Sequence, residues 1–184
     1  MKRLVILFAV TISLAAYAKV KTPSGSLPDK MTKEQELQNR IDSLQRELNK
    51  CADFYKVMEF STKQDSTIFD TLYVQSISAI DSLLTQDQKD QLAVIRKISD
   101  LKVILDKVER DIQQKKEALV TQFSISDEQE QNQLISKAIA SDVKRAGEIL
   151  DELQKMDLTF LSSVQKGFYY SLYSRHSDLF DKYL

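Results

Sequence analysis

The chain carries no proline after Pro28 and, beyond that residue, only two glycines, Gly147 and Gly167. Proline breaks a helix interior and glycine weakens it by about 1 kcal/mol, so a long stretch almost without them favours long helices. The same stretch is rich in Gln, Leu, Lys and Glu, which lose little side-chain freedom in a helix. We therefore predict an all-α fold: an elongated antiparallel helical bundle or coiled-coil hairpins, with three to four long helices.

A strict heptad pattern marks the first of these helices. Thr32 can cap its start, with Gln35 as the capping-box partner. Apolar residues then follow at alternating spacings of four and three, without a miss: Leu37, Ile41, Leu44, Leu48, Cys51, Tyr55 and Met58. We name these residues the heptad seam. Such spacing is typical of a coiled coil, so we predict that the seam binds a protein partner or mediates self-association.

Local signals divide the rest of the chain. The polar run 61–67 interrupts the first pattern, and residues 67–74 are compatible with either a helix or a short strand; helical spacing favours the helix. Capping boxes that begin at Thr85 and Ser126 predict two further helices. The breaks before these helices are short, so their neighbours are expected to be antiparallel.

Aromatic residues concentrate in an aromatic-rich C-terminal segment, residues 160–184, and in the first helical region, at residues 54–73. We predict that the C-terminal segment packs back on the first helical region through edge-to-face ring contacts. Exposed parts of this segment are a second candidate contact with a partner. The candidate interaction residues are therefore Leu37, Ile41, Leu44, Leu48, Cys51, Phe168, Tyr169, Tyr170 and Tyr173.

The N-terminus has the form of an export signal. Lys2 and Arg3 precede an apolar run of about 13 residues, and small residues lead up to Ala18. The run is shorter than the roughly 20 residues needed to span a membrane, and no later run is long enough. We predict cleavage after Ala18, a bacterial source, a periplasmic or extracellular location, and no transmembrane segment in the mature chain. The predicted segments are a signal peptide (1–18), a flexible linker (19–30) and a single helical domain (31–184).

Charge and motifs argue against several functional classes. The 26 basic and 27 acidic residues are interspersed, without the basic stripe expected of a nucleic-acid-binding protein. There is no glycine-rich phosphate loop, nucleophile elbow or zinc-protease helix motif. One histidine and one cysteine cannot form a common Cys/His zinc site within one chain. We predict no catalytic residue, no metal site and no cofactor.

The lone cysteine and the lone histidine each allow two interpretations. Cys51 occupies a seam position, where it is either a buried small apolar residue or half of an intermolecular disulfide. His176 is expected to be solvated near the chain end, in preference to pairing with Cys51.

The resulting functional prediction is an exported helical protein that acts by protein–protein interaction, with a structural or adaptor role at the cell envelope or outside the cell. The overall plan of signal peptide, modest size and helical hairpins is similar to the Skp family of periplasmic holdase chaperones. That resemblance implies binding of unfolded clients, although this chain lacks the basic charge and β-strand body of the family. A hydrolytic enzyme is the third alternative.

Overall fold

The computed structural model describes residues 32–184, which form α-helices and two short 3-10 helices and contain no β-strand. The α-helices are α1 (Lys33–Thr62), α2 (Thr71–Ser78), α3 (Gln86–Thr121), α4 (Glu128–Leu153) and α5 (Ser163–Tyr183). The all-α prediction is confirmed. The predicted count of three to four long helices is not, since these residues form five α-helices, of which α2 has eight residues. The predicted signal peptide and linker lie outside the described residues.

α1 begins where the capping signal predicts. The Gln35 side chain accepts a hydrogen bond from the Thr32 amide at 2.9 Å, and Thr32 Oγ1 accepts one from the Gln35 amide at 3.3 Å. These two bonds satisfy amides that have no partner inside the helix.

Residues 63–84 turn the chain through short helical pieces. The Asp65 carboxylate accepts a hydrogen bond from the Thr67 amide at 2.9 Å and caps the 3-10 helix Ser66–Phe69. Asp70 has extended backbone angles, so it separates this piece from α2. A second 3-10 helix, Asp81–Leu83, follows α2. The preference for helix over strand at residues 67–74 is confirmed.

α3 contributes the largest share of the buried residues and contacts α2, α4 and α5. Lys107 pairs with Asp142 of α4 at 2.6 Å, and Lys97 pairs with Glu152 ten residues further along α4. Because the numbers rise along one helix as they fall along the other, α3 and α4 are antiparallel. An apolar stripe at helical spacing along α3 is buried: Val94, Ile98, Leu101, Leu105, Val108, Ile112 and Leu119.

The predicted start of α4 is wrong by one residue. Asp127, and not Ser126, is the N-cap, and its carboxylate accepts a hydrogen bond from the Glu130 amide at 2.8 Å. Both residue types are good caps, so the sequence alone does not choose between adjacent candidates. The apolar stripe of α4 is buried: Ile135, Ile139, Val143, Ala146, Leu150 and Leu153.

The C-terminal segment packs back on the end of the first helical region, as predicted. The rings of Phe69 and Phe168 lie 5.2 Å apart at 11°, so they are stacked and not edge to face. The Gln165 side-chain amide donates to the carbonyls of Lys63 and Asp65, both at 3.2 Å. Gly167 neither ends nor interrupts α5, which continues through it.

The capping box of α3 gives a first prediction. Thr85 Oγ1 accepts from the Gln88 amide, and the Gln88 side chain accepts from the Thr85 amide. Replacing Thr85 with Ala is expected to lower the free energy of unfolding by about 1 kcal/mol, since one helix-end amide loses its partner. Denaturant unfolding measures this. Thr121→Ala, at the other end of the same helix and exposed, is the control, and an equal loss in both variants would contradict the capping role.

Candidate interaction surface

The heptad seam is exposed along α1. Its six large apolar side chains leave between 50% and 72% of their surface open, and Cys51 is exposed as well. Every residue from 33 to 52 is exposed, so this part of the helix buries no side chain. A helix in a protein owes most of its stability to the packing of an apolar face, which this part lacks, and an exposed apolar line favours association. The seam is therefore an apolar surface without a cover among the described residues.

The C-terminal end of α1 shows which face of this helix packs against the core. Phe60 is buried and Val57 is partly buried against the core, while Tyr55 and Met58 are exposed. At 3.6 residues per turn, Tyr55 and Met58 lie on the side of the helix opposite Phe60. The heptad seam is thus separate from the face that packs on the core.

Cys51 is not buried by the fold of a single chain. A seam cysteine covered by its own chain would be a buried, inert apolar residue. Cys51 is instead exposed, because the fold packs α1 through the opposite face. The intermolecular disulfide stays a prediction.

The four candidate aromatic residues of α5 fall into two pairs. Tyr169 is buried and Phe168 is partly buried in the core, so neither presents its ring to a partner. Burial raises the pKa of the Tyr169 phenol. Tyr170 and Tyr173 are exposed and can contribute to a surface contact.

His176 is only partly exposed, whereas the sequence-based expectation was a solvated side chain. It is half-buried against α4, with Nε2 3.1 Å from the carbonyl oxygen of Val143. A carbonyl oxygen only accepts, so Nε2 carries the hydrogen and donates it. The ring approaches the backbone where Gly147 leaves space.

The residue before His176, Arg175, links α5 to α3. Its guanidinium donates hydrogen bonds to Asp106 and Glu109 of α3 at 2.8 Å each, and the hydrogen bond to Glu109 raises the pKa of the Arg175 guanidinium.

His176 also lines a shallow groove between α4 and α5 that sequence reasoning missed. Gly147, Asp151, Tyr173, His176 and Phe180 border about 240 Å³. The spacing of three and four residues among the three ring-bearing side chains was a usable signal, but nothing in the sequence paired that face with Gly147. The groove combines exposed rings with one carboxylate, and its walls come from two adjacent helices.

The two helical glycines give a second prediction, because they differ only in surroundings. A methyl group on Gly147 would lie 3.3 Å from His176 Nε2, whereas one on Gly167 would meet no atom within 4 Å. Gly167→Ala is expected to stabilise the fold by about 0.5–1 kcal/mol through helix propensity. Gly147→Ala should gain less or lose stability, since the His176 ring must shift. Thermal unfolding of both variants tests this ranking, and the reverse order would contradict the close approach.

Two observations on the described residues concern metal binding and acid–base catalysis. Within residues 32–184, no three His, Cys, Asp or Glu side chains come together as a metal site. A wider groove of about 540 Å³ near the start of α3 includes Asp87, Asp90 and Asp157. A hydrogen bond from the Thr159 side chain lowers the pKa of the Asp157 carboxyl. That shift is opposite to the one a carboxyl needs to act as a general acid near neutral pH.

Comparison of the chain with protein-family models, curated proteins and solved structures finds no match. No helix within residues 32–184 is both long enough and apolar enough to cross a membrane.

Proposed function

We propose that this protein acts by protein–protein interaction, in a structural or adaptor role, and that the heptad seam of α1 is its main contact surface. One observation carries the proposal: a strict apolar heptad lies exposed on α1, while the core packs against the other face of the same helix. Isolated exposed apolar residues are ordinary on protein surfaces, but a contiguous apolar line typically marks an interaction site.

Two further features belong to the same proposal. We propose that α2 to α5 form an antiparallel helical bundle, which is supported by the ion pairs between α3 and α4. We also propose that the protein is exported and works at the cell envelope or outside the cell, on the basis of the signal-like residues 1–18.

Site-specific photocrosslinking tests the interaction. A photoreactive phenylalanine analogue replaces Tyr55 in the seam in one variant and Phe123, which is exposed outside α1, in another. In cells, the Tyr55 position is expected to form a protein adduct of defined mass in much higher yield than the Phe123 position. Absence of any adduct from Tyr55, together with a strictly monomeric purified chain in light scattering, would refute the proposal.

The holdase chaperone stays an alternative proposal that rests on the overall plan of the chain. Suppression of the aggregation of an unfolded client protein, at a stoichiometric ratio, is the measurement that would favour it.

A further inference from the structure

Resting on the proposed function, we infer that the seam binds the seam of a second copy of this chain, in a parallel, two-stranded coiled coil with residues 37–58 in register.

The residue types at the core positions favour this arrangement. The spacing places Ile41, Leu48 and Tyr55 at the a positions of the heptad. The d positions are held by Leu37, Leu44, Cys51 and Met58. A β-branched residue at a with leucine at d favours parallel two-stranded coiled coils, and Ile41 is flanked by Leu37 and Leu44 in that pattern. A two-fold axis then makes each layer self-complementary, since every core residue meets its own counterpart.

The charges beside the seam are compatible with an aligned second copy. In a parallel pair, each g position faces the next e position of the other helix. Arg40 then faces Gln45 of the second copy, and Glu47 faces Ala52 of the second copy, so no like charges meet. An antiparallel pair centred near residue 46 would instead bring the two Glu47 carboxylates together. Like charges across such an interface disfavour that arrangement.

A dimer needs the whole length of the seam to bury enough surface area. Full alignment engages the a, d, e and g positions of about three heptads from each chain. At the average area per residue of known interfaces this amounts to roughly 800 Å² in total, in the range of weak complexes. An antiparallel register that pairs Arg40 with Glu47 covers only about half of the seam and leaves Tyr55 and Met58 exposed. A contact of this area is expected to dissociate on dilution, so the dimer should depend on concentration.

Sedimentation equilibrium over a range of concentrations tests the second copy as partner. The chain is expected to show a monomer–dimer equilibrium, and Leu44→Glu should raise its dissociation constant at least tenfold. Leu72→Glu is the matched control, because Leu72 is also an exposed leucine but lies on α2. Equal weakening by both substitutions, or a dimer that Leu44→Glu leaves intact, would overturn the inference.

Disulfide trapping tests the orientation. In a Cys51→Ser background, Leu37→Cys should form a covalent dimer under mild oxidation, since parallel alignment brings the two thiols within bonding reach. Leu72→Cys in the same background is the control and should stay monomeric on non-reducing gels. A noncovalent dimer that Leu37→Cys does not trap would overturn the parallel alignment.

The two proposals fail in distinguishable ways. A monomeric chain whose Tyr55 position crosslinks to a different protein overturns the second-copy inference but supports an interaction role. A monomeric chain that forms no seam adduct overturns both.

Discussion

Replacing Phe69 with Ala is expected to lower the free energy of unfolding by about 3–5 kcal/mol, the usual cost of removing a fully buried phenylalanine. Phe69 has no exposed surface, and its ring stacks on Phe168 of α5 at 5.2 Å. The substitution therefore removes buried apolar surface and a ring contact where the 3-10 helix that follows α1 packs against α5. Denaturant unfolding followed by circular dichroism measures the loss.

The control for Phe69 is Phe123→Ala, because Phe123 has 64% of its surface exposed. That change should alter the free energy of unfolding by no more than about 0.5 kcal/mol. Phe168→Ala should cost less than Phe69→Ala, since Phe168 is only partly buried. A loss below about 1 kcal/mol for Phe69→Ala would contradict its place at the centre of this packing.

In the Leu44→Glu variant, the backbone amides of residues 33–52 are expected to exchange hydrogen within about tenfold of the rate of an unstructured chain. These residues are all exposed, so opening this part of α1 breaks no tertiary packing. Amides of α3 around Leu101 and Leu105, which are fully buried, should exchange at least about 10³-fold more slowly, in line with global unfolding. Hydrogen exchange followed by mass spectrometry resolves the two regions.

Hydrogen exchange of the unsubstituted chain, measured at several protein concentrations, tests whether a second copy covers the seam. Protection of residues 33–52 should rise with protein concentration as the seam becomes covered, while protection of α3 should not change. Strong protection of α1 at the lowest concentration, or in the monomeric variant, would show that another contact stabilises this helix.

Local features were the part of the fold that sequence reasoning predicted well. The capping boxes at Thr32 and Thr85 depend on residues three positions apart, so their geometry is contained in a short stretch of chain. The buried stripes of α3 and α4 follow from helical periodicity, which identifies one apolar face whatever covers it. The all-α class follows from the same periodicity and from the scarcity of proline and glycine.

Features that depend on distant residues were missed. The stacking of Phe69 on Phe168 differs from the predicted edge-to-face contact, because ring geometry depends on how the two segments meet. Nothing near His176 in the sequence indicates that Val143 accepts its hydrogen bond or that Gly147 leaves space for its ring. The pairing of Arg175 with Asp106 and Glu109 likewise joins residues that are far apart in the chain.

The heptad seam illustrates the difference between what a sequence pattern predicts and what the packing of the chain adds. Residue types alone predict that α1 is a helix with an apolar line of heptad spacing, since that pattern depends only on residue type and 3.6-residue geometry. The folded chain shows that the core packs against Phe60 on the other side and leaves Tyr55 and Met58 exposed. Periodicity identifies an apolar face, but what covers that face depends on contacts with residues distant in the chain or in another molecule.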